Sequence, residues 1–215
     1  MLFRSQTAAR FPELLRMYKA PPPEVSSEQF YETDERRGFA RGFSIQTVGP
    51  LPIDWAEHVL AEGHWGQALR EYMRDYNHWT VLGVLCEFMP LAENRVTLAD
   101  EADAFGMPVA HVNYNLCEND KANVAYAKRI LGEIWDGADA QDVLTIDRYA
   151  HLVGGCRMGF DAEESVVDAE HRVWGVPNLF VCDGSVFPTE GAANPALAIM
   201  ALADRLGRLL KEKAV

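Results

Sequence analysis

The alternation of apolar and polar residues predicts the first elements. Residues 43–48 alternate with a period of two before Gly49-Pro50, which predicts a half-buried strand. Residues 81–89 are apolar enough for a buried strand, and residues 94–98 follow a turn-rich linker, so the two runs can pair as a hairpin. Apolar side chains at helical spacing between residues 64 and 77 predict a helix packed on a core; they are Trp65, Leu69, Tyr72, Met73 and Tyr76.

The second half of the chain continues with helix and strand patterns. Asn119 or Asp120 can cap a helix that ends at Gly137. Its predicted apolar face consists of Ala127, Ile130, Leu131 and Ile134. Residues 143–150 form a short predicted strand that leads to His151, and residues 179–182 form a continuous apolar run typical of a strand buried on both faces of a parallel sheet.

The last predicted element is a helix that runs close to the C-terminus. Asn194 suits its N-cap and Pro195 its first turn. The apolar residues at helical spacing are Ile199, Leu202, Ala203, Leu206 and Leu210.

Composition and charge narrow the class of protein. The 215 residues are 48% hydrophobic and 24% charged, which is typical of a globular protein in solution. A net charge of −12 without a basic stripe disfavours nucleic acid as a partner. The longest apolar stretch, residues 196–203, is far shorter than the roughly 20 residues of a membrane-spanning helix, so we do not expect an integral membrane protein.

The cysteine pattern predicts the compartment. The four cysteines, Cys86, Cys117, Cys156 and Cys182, form no C-x-x-C pair, and no secretory signal precedes them. We therefore expect buried thiols in a cytoplasmic protein.

Two polar residues, His151 and Asn194, lie at the ends of predicted elements, where reactive side chains are often placed. His151 follows a predicted strand and precedes Gly154-Gly155, and Asn194 begins the last predicted helix. Their spacing alone leaves a structural role open for both. The other five histidines have no partner at metal-ligand spacing, so we predict no metal. Ser185 lies outside a G-x-S-x-G elbow, which disfavours a hydrolase.

An ordered series of motifs begins at His151. It comprises HLVGGCRMG at 151–159, SVVD at 165–168, RVWGVPNL at 172–179, DGSVFPT at 183–189 and Asn194-Pro195. This series closely resembles the C-terminal signature of the glucose-methanol-choline (GMC) family of FAD-dependent oxidoreductases. Residues 94–98 and 105–108 resemble the family's substrate-domain sheet more loosely.

The resemblance implies roles for individual residues. His151 matches the family's active-site histidine, which takes or orients the proton of the substrate hydroxyl while hydride leaves for the flavin. Asn194 matches the second member of the catalytic pair. Asp183 and Gly184 match residues near the ribityl and pyrophosphate part of FAD, and the helix start at Asn194, Pro195 and Ala196 would face the flavin.

The resemblance also implies an α+β and α/β architecture. Residues 1–27 would be a lead-in or domain crossing, ending in the extended Pro21-Pro22-Pro23 segment. Residues 28–150 would form the GMC substrate-binding domain, a mixed sheet with flanking helices. Residues 151–215 would carry the site, with the last strand and helix of a Rossmann-like FAD-binding domain.

One part of the family pattern is absent. The sequence contains no G-x-G-x-x-G, the turn that binds the ADP part of FAD. We therefore expect part of an oxidoreductase that acts on a small alcohol or sugar with FAD, together with an N-terminal FAD-binding partner chain. The alternatives are an inactive remnant and a subunit that completes a flavoprotein in trans. Either way, an exposed apolar edge at 179–182 is expected.

Overall fold

A computed structural model describes residues 2–19 and 25–213 of the chain, without the side chains of residues 2–4, 148, 149 and 213. The predicted Pro21-Pro22-Pro23 segment lies outside the described residues. The strands are β1 (Leu2–Arg10), β2 (Ser26–Ser27), β3 (Phe43–Val48), β4 (Trp79–Cys86), β5 (Arg95–Ala102), β6 (Pro108–Asn113) and β7 (Asp142–Ala150). The α-helices are α1 (Pro52–Ala61), α2 (Gln67–Arg74), α3 (Glu118–Gly137) and α4 (Ala196–Lys213).

The chain divides into two compact units, each made of two stretches of sequence. The first, here called the sheet unit, comprises residues 2–87 and 120–150. The second, here called the loop-rich unit, comprises residues 88–119 and 151–213. The sequence predicts one domain over residues 28–150 and another over residues 151–215. In the structure, residues 88–119 group with the residues that follow 150, in the loop-rich unit.

The sheet unit is built on five antiparallel strands in the order β2-β3-β4-β1-β7. Strand β1 is interior and pairs with β4 and β7 along almost its whole length. The prediction that residues 1–27 form a lead-in or domain crossing is therefore wrong for residues 2–10, which form an interior strand of the sheet. Hydropathy concealed this strand because its buried positions include the polar residues Ser5, Gln6 and Thr7.

Helices α1 and α2 pack on one face of this sheet. The central cluster consists of Ala8, Trp55, Val59, Tyr76, Trp79 and Val81. The helix predicted between residues 64 and 77 corresponds to α2 and the 3-10 turn Tyr76–His78. Trp65 does not belong to its apolar stripe, because its side chain is 79% exposed, whereas Leu69, Tyr72 and Met73 pack against the cluster.

Helix α3 covers the other face. It begins at Glu118, so Asn119 and Asp120 lie in its first turn and the prediction that one of them is the cap is wrong. Its end at Gly137 is confirmed. Ala127 and Leu131 are fully buried, and Trp135 Nε1 donates a hydrogen bond of 2.8 Å to the hydroxyl of Thr7 in β1.

Strand β3 has the predicted bounds but a different environment. Phe43 and Ile45 point to one side of the sheet and Ser44 and Gln46 to the other, yet all four are buried. The prediction of a half-buried strand is therefore wrong, because helices cover both faces of the sheet.

In the loop-rich unit, β5 and β6 form a separate two-stranded sheet. The predicted hairpin between residues 81–89 and 94–98 is wrong, because β4 is already paired with β1 and β3 on its two edges. The hairpin turn is held by Asp103, whose Oδ1 accepts from the backbone N–H groups of Phe105 and Met107.

The predicted strand at 179–182 is also wrong. Phe180 makes one isolated bridge to Arg172, Leu179 is 50% exposed, and Cys182 is exposed. Four apolar residues favour a buried strand only where neighbouring strands flank both edges. Within the described residues, the segment pairs on one side alone.

Helix α4 begins at Ala196, two residues after the predicted cap. The backbone N–H of Ile199 donates to Pro195 O at 2.9 Å, so Pro195 occupies the cap position. The predicted stripe is buried or half-buried from Ile199 to Leu206, whereas Leu210 is 40% exposed. Among the described residues, no helix combines the length and the apolar character needed to cross a bilayer.

Candidate functional site

His151 follows directly on the last residue of β7 and is half-buried. Its φ of 55° lies in the left-handed region, which is uncommon for a residue other than glycine. Three residues later, Gly154 has a φ of 86°, and a Cβ at this position would lie 3.2 Å from Phe187 O. The chain around His151 therefore follows a path that regular secondary structure does not impose, as residues at functional sites often do.

The segment after His151 lies along the 3-10 turn Gly184–Val186. Three backbone hydrogen bonds join them: Gly154 N to Gly184 O (3.4 Å), Cys156 N to Ser185 O (2.9 Å) and Met158 N to Val186 O (2.8 Å). The motif that begins at His151 and the motif that begins at Asp183 are thus adjacent in space, although about 30 residues separate them in sequence.

Asp183 caps this turn. Its Oδ1 accepts hydrogen bonds from the hydroxyl and from the backbone N–H of Ser185, the latter at 2.8 Å. The bond from the Ser185 hydroxyl, more than the one from its N–H, lowers the pKa of Asp183. The carboxylate is therefore ionised at neutral pH, and its Oδ1 accepts both hydrogen bonds from Ser185.

Gly184 packs against the first turns of α4. A Cβ at Gly184 would lie 3.2 Å from Ile199 Cδ1 and 3.4 Å from Val153 Cγ1. The first distance is shorter than ordinary van der Waals contact, so a larger residue would require the side chain of Ile199 to shift by a few tenths of an ångström. The turn therefore packs closely against Val153 and against Ile199 of α4.

Asn194 and Pro195 precede α4, and Asn194 is exposed. The backbone N–H of Ile199 donates to Pro195 O, which places the N-terminal end of α4 at Pro195, and the first N–H groups of an α-helix point out of the helix without a partner inside it. Leu197 is 76% exposed at this end. The helix start therefore presents N–H donors and the positive end of its dipole.

All the predicted site residues lie in the loop-rich unit: His151, Asp183, Gly184, Asn194, Pro195 and Ala196. An apolar cavity of about 230 Å³ adjoins the turn, with Val186 on one side and Leu202 of α4 on another. Its lining includes Phe160 and Phe187 but none of the predicted site residues.

The prediction that the cysteines are buried holds only for Cys86. Cys117 and Cys156 are half-buried and Cys182 is exposed. Burial raises the pKa of the Cys86 thiol, which keeps it protonated. Within the described residues, no group of three or more His, Cys, Asp and Glu side chains could hold a metal ion.

Sequence reasoning missed one residue of this unit. His171 is fully buried, has a φ of 68°, and its Nδ1 lies 2.9 Å from Val181 O. The signal in the sequence was weak, because a histidine between Glu170 and Arg172 in a polar stretch predicts exposure.

Comparison with known proteins identifies the family. The C-terminal profile of the GMC oxidoreductase family matches residues 90–203, more than half of the chain. The chain belongs to the GMC oxidoreductases, and the resemblance drawn from the sequence motifs is confirmed. The matched range contains His151, Asp183, Gly184, Asn194, Pro195 and Ala196.

Individual relatives extend this result. The chain is 38% identical to 2-methyl-1,2-propanediol dehydrogenase of Mycolicibacterium austroafricanum over 200 residues, which cover 87% of this chain and 36% of the relative. It is 35% identical to C-glycoside 3-oxidase of Microbacterium trichothecenolyticum over 139 residues, covering 61% and 27% of the two chains.

A solved structure shares the fold. Formate oxidase of Aspergillus oryzae RIB40, determined to follow the effect of a mutation on FAD modification, superimposes with a TM-score of 0.64 at 12% identity. The superposition covers 99% of this chain and 46% of the oxidase. FAD is the cofactor of this family. The chain spans about a third of the length of the curated relatives it matches, and less than half of that solved chain.

Proposed function

We propose that the chain carries the active-site portion of an FAD-dependent oxidoreductase that oxidises a CH–OH group of a small alcohol or sugar. The observation that carries the proposal is the family match, which contains both predicted catalytic residues and the residues predicted to face the cofactor. The relatives named above act on a diol and on a glycoside, so both substrate classes fit the same kind of site.

His151 is the proposed base. A neutral imidazole nitrogen can take the proton of the substrate hydroxyl, a role typically worth 10²–10⁴ in rate. Its half-buried position limits competition from water. The side-chain amide of Asn194 can donate a hydrogen bond to the same oxygen without competing for the proton. FAD, when bound, accepts the hydride that leaves the alcohol carbon.

The residues present fit this cofactor. The N–H donors at the start of α4 suit the pyrimidine edge of the flavin, where negative charge accumulates on reduction. Gly184 allows the turn to pack against Ile199 of α4, and the ionised Asp183 can accept hydrogen bonds from ribityl hydroxyls. The loop-rich unit therefore offers complementary groups for the flavin and ribityl parts of FAD.

We also propose that FAD is retained only with a nucleotide-binding portion that carries G-x-G-x-x-G, in the same protein or in a partner chain. No such motif occurs in the 215 residues, so the groups that would bind the pyrophosphate and adenosine must come from elsewhere. The alternatives are an inactive remnant and a subunit that completes a flavoprotein in trans. The intact pair His151 and Asn194 favours an active enzyme over a remnant.

The test is an FAD titration followed by anaerobic reduction with a diol or sugar. The chain is titrated alone and together with a portion bearing G-x-G-x-x-G, and flavin absorbance is recorded. We expect saturable binding only in the second case, and bleaching by substrate. His151→Ala should slow bleaching at least about 100-fold with FAD affinity unchanged. His111→Ala, in the exposed hairpin, is the matched control and should bleach at the wild-type rate.

Three outcomes of this experiment test the proposed function against its alternatives. FAD binding without bleaching by any diol or sugar supports the inactive remnant. Tight binding by the 215 residues alone contradicts the need for a second portion. Equal bleaching rates for His151→Ala and the wild type contradict the role of His151.

A further inference from the structure

His171 is both fully buried and in the left-handed region of the backbone. Its side chain has no exposed surface, although histidine is usually at least partly exposed. Its backbone lies at a φ of 68°, in the left-handed region that glycine and asparagine adopt most readily. A purely space-filling side chain would not require this residue at this backbone position.

Both polar groups of His171 that face the next segment bind the same residue. The backbone N–H of Val181 donates to His171 O at 3.0 Å, and His171 Nδ1 lies 2.9 Å from Val181 O. A carbonyl oxygen can only accept, so Nδ1 carries the hydrogen and donates it. The backbone donor and the backbone acceptor of Val181 are therefore both satisfied by His171.

The turn that carries His171 is itself held firmly. Asp168 O accepts from the backbone N–H of His171 at 3.0 Å, and Asp168 N donates to Arg172 O at 2.8 Å. Asp168 Oδ1 adds bonds from the N–H groups of Glu170 (2.8 Å) and Arg172 (3.0 Å). The guanidinium of Arg205 in α4 donates to Ala169 O at 2.7 Å. The turn at 168–172 is thus connected to α4 on one side and to Val181 on the other.

We infer that His171 is a positioning residue for the cofactor. Through its two hydrogen bonds with Val181, it fixes the segment that ends at Asp183 and Gly184. The inference rests on the proposed function. Val181 stands two residues before Asp183, and residues 179–182 do not form a strand that would hold them by a ladder of hydrogen bonds. The position of the Asp183 carboxylate therefore depends on this contact more than it would in a regular sheet.

The chemistry singles out one ring nitrogen. Nδ1 donates to Val181, whereas Nε2 is buried and has no hydrogen-bond partner among the residues that the structure describes. A replacement must therefore place its N–H donor where Nδ1 lies. Asparagine does so and tolerates the left-handed backbone, glutamine places its amide farther from the backbone, and leucine fills similar space without a donor.

The experiment compares His171→Asn, His171→Gln and His171→Leu in the chain combined with its G-x-G-x-x-G portion. The first readout is the dissociation constant for FAD. The second is amide hydrogen exchange at residues 181–185, with the amide of Leu131 in α3 as the control for folding. We expect His171→Leu and His171→Gln to weaken FAD binding about five- to tenfold, the effect of one lost hydrogen bond. Exchange at 181–185 should accelerate by a similar factor, and His171→Asn should restore both values to within about twofold.

The outcomes are distinguishable from those of the proposed function. Absence of FAD binding by the wild-type combination contradicts the proposed function itself. Wild-type binding with equal dissociation constants for Asn, Gln and Leu contradicts the role of His171. Should the Leu and Gln variants not fold, exchange in the wild type and FAD binding by His171→Asn decide. An unprotected Val181 amide beside a protected Leu131 amide overturns the inference, and a protected one together with rescue by Asn supports it.

Discussion

Left-handed backbone at residues other than glycine occurs five times among the described residues, and two of these are His151 and His171. Each such residue carries a cost of about 1–2 kcal/mol relative to a right-handed one. Both histidines lie in the loop-rich unit, which has few regular elements to hold them. The surrounding hydrogen bonds, such as those from residues 154–158 to the turn at 184–186, must therefore offset this cost.

The turn at Asp183 gives a prediction at this scale. The Ser185 hydroxyl is the main cause of the lowered pKa of Asp183, so Ser185→Ala should raise that pKa toward its ordinary value near 4. Because the folded-state pKa is lowered, the contribution of this carboxylate to stability is present above the ordinary pKa and is lost as pH falls through the lowered one. A carboxyl-carbon NMR titration of both proteins measures the difference. Superimposable titration curves would contradict the assignment.

The sequence was sufficient to predict some of the candidate site residues and not others. His151 and Asn194 were predicted because they stand inside motifs whose order carries information. The burial of His171 could not be predicted, because it depends on a contact with Val181 ten residues later and on an unusual backbone angle. Hydropathy records neither a hydrogen bond across a loop nor the sign of φ.

At the scale of elements, helix α3 packs against one face of the sheet and contributes buried apolar side chains to the core of the sheet unit. Leu131 is fully buried against the sheet, while Ile134, on the same helix, is 38% exposed. Leu131→Ala should lower the free energy of unfolding by about 2–5 kcal/mol, because it removes apolar contacts and leaves a cavity. Ile134→Ala is the matched control and should cost less than half as much. Denaturant unfolding followed by circular dichroism measures both, and equal losses would show that α3 packs differently.

The contact between α3 and β1 supports a second prediction. Trp135 Nε1 donates to the hydroxyl of Thr7, and both side chains are buried. Thr7→Val keeps the shape but removes the acceptor, so the indole N–H is left without a partner at a cost of about 1–3 kcal/mol. Thr7→Ser retains the hydroxyl and should lose less. If valine proves as stable as threonine, the hydrogen bond contributes nothing to folding.

Elements whose apolar residues recur at a regular spacing could be predicted from the sequence. Elements that depend on which strands lie beside them could not. Strand β3 and helix α4 follow from spacing alone, apart from one or two residues at the start of α4. Strand β1 was missed because it buries the polar residues Ser5, Gln6 and Thr7; the hydroxyls of Ser5 and Thr7 are bonded to Asp147 and Trp135, contacts that hydropathy does not record. The run at 179–182 was assigned to a strand because its composition is apolar, but composition does not specify a neighbour.

At the scale of the whole molecule, the hairpin β5–β6 exposes several large apolar side chains. One face carries Val96, Leu98 and Val112, and the turn adds Phe105 and Met107; all five are at least 62% exposed. Contiguous apolar surface of this kind promotes association. The net charge of −12 opposes association at low salt and is screened at high salt.

Leu98→Lys should therefore reduce concentration-dependent association of the 215-residue chain at high salt. Thr97→Lys, one residue away on the opposite face, adds the same charge without removing apolar surface and is the matched control. Sedimentation velocity across a tenfold range of concentration measures both. Equal sedimentation of the two variants would mean that net charge, and not the apolar face, governs association.

The order of strands in the sheet unit has a consequence for synthesis of the protein. Arg10 in β1 pairs with Asp142 in β7, 132 residues further along the chain. At about 5–20 residues per second, a ribosome needs on the order of ten seconds to make the second strand after the first. During that time one edge of β1 has no partner, so in the cell the nascent chain should be a client for chaperones that bind extended segments until residue 150 emerges.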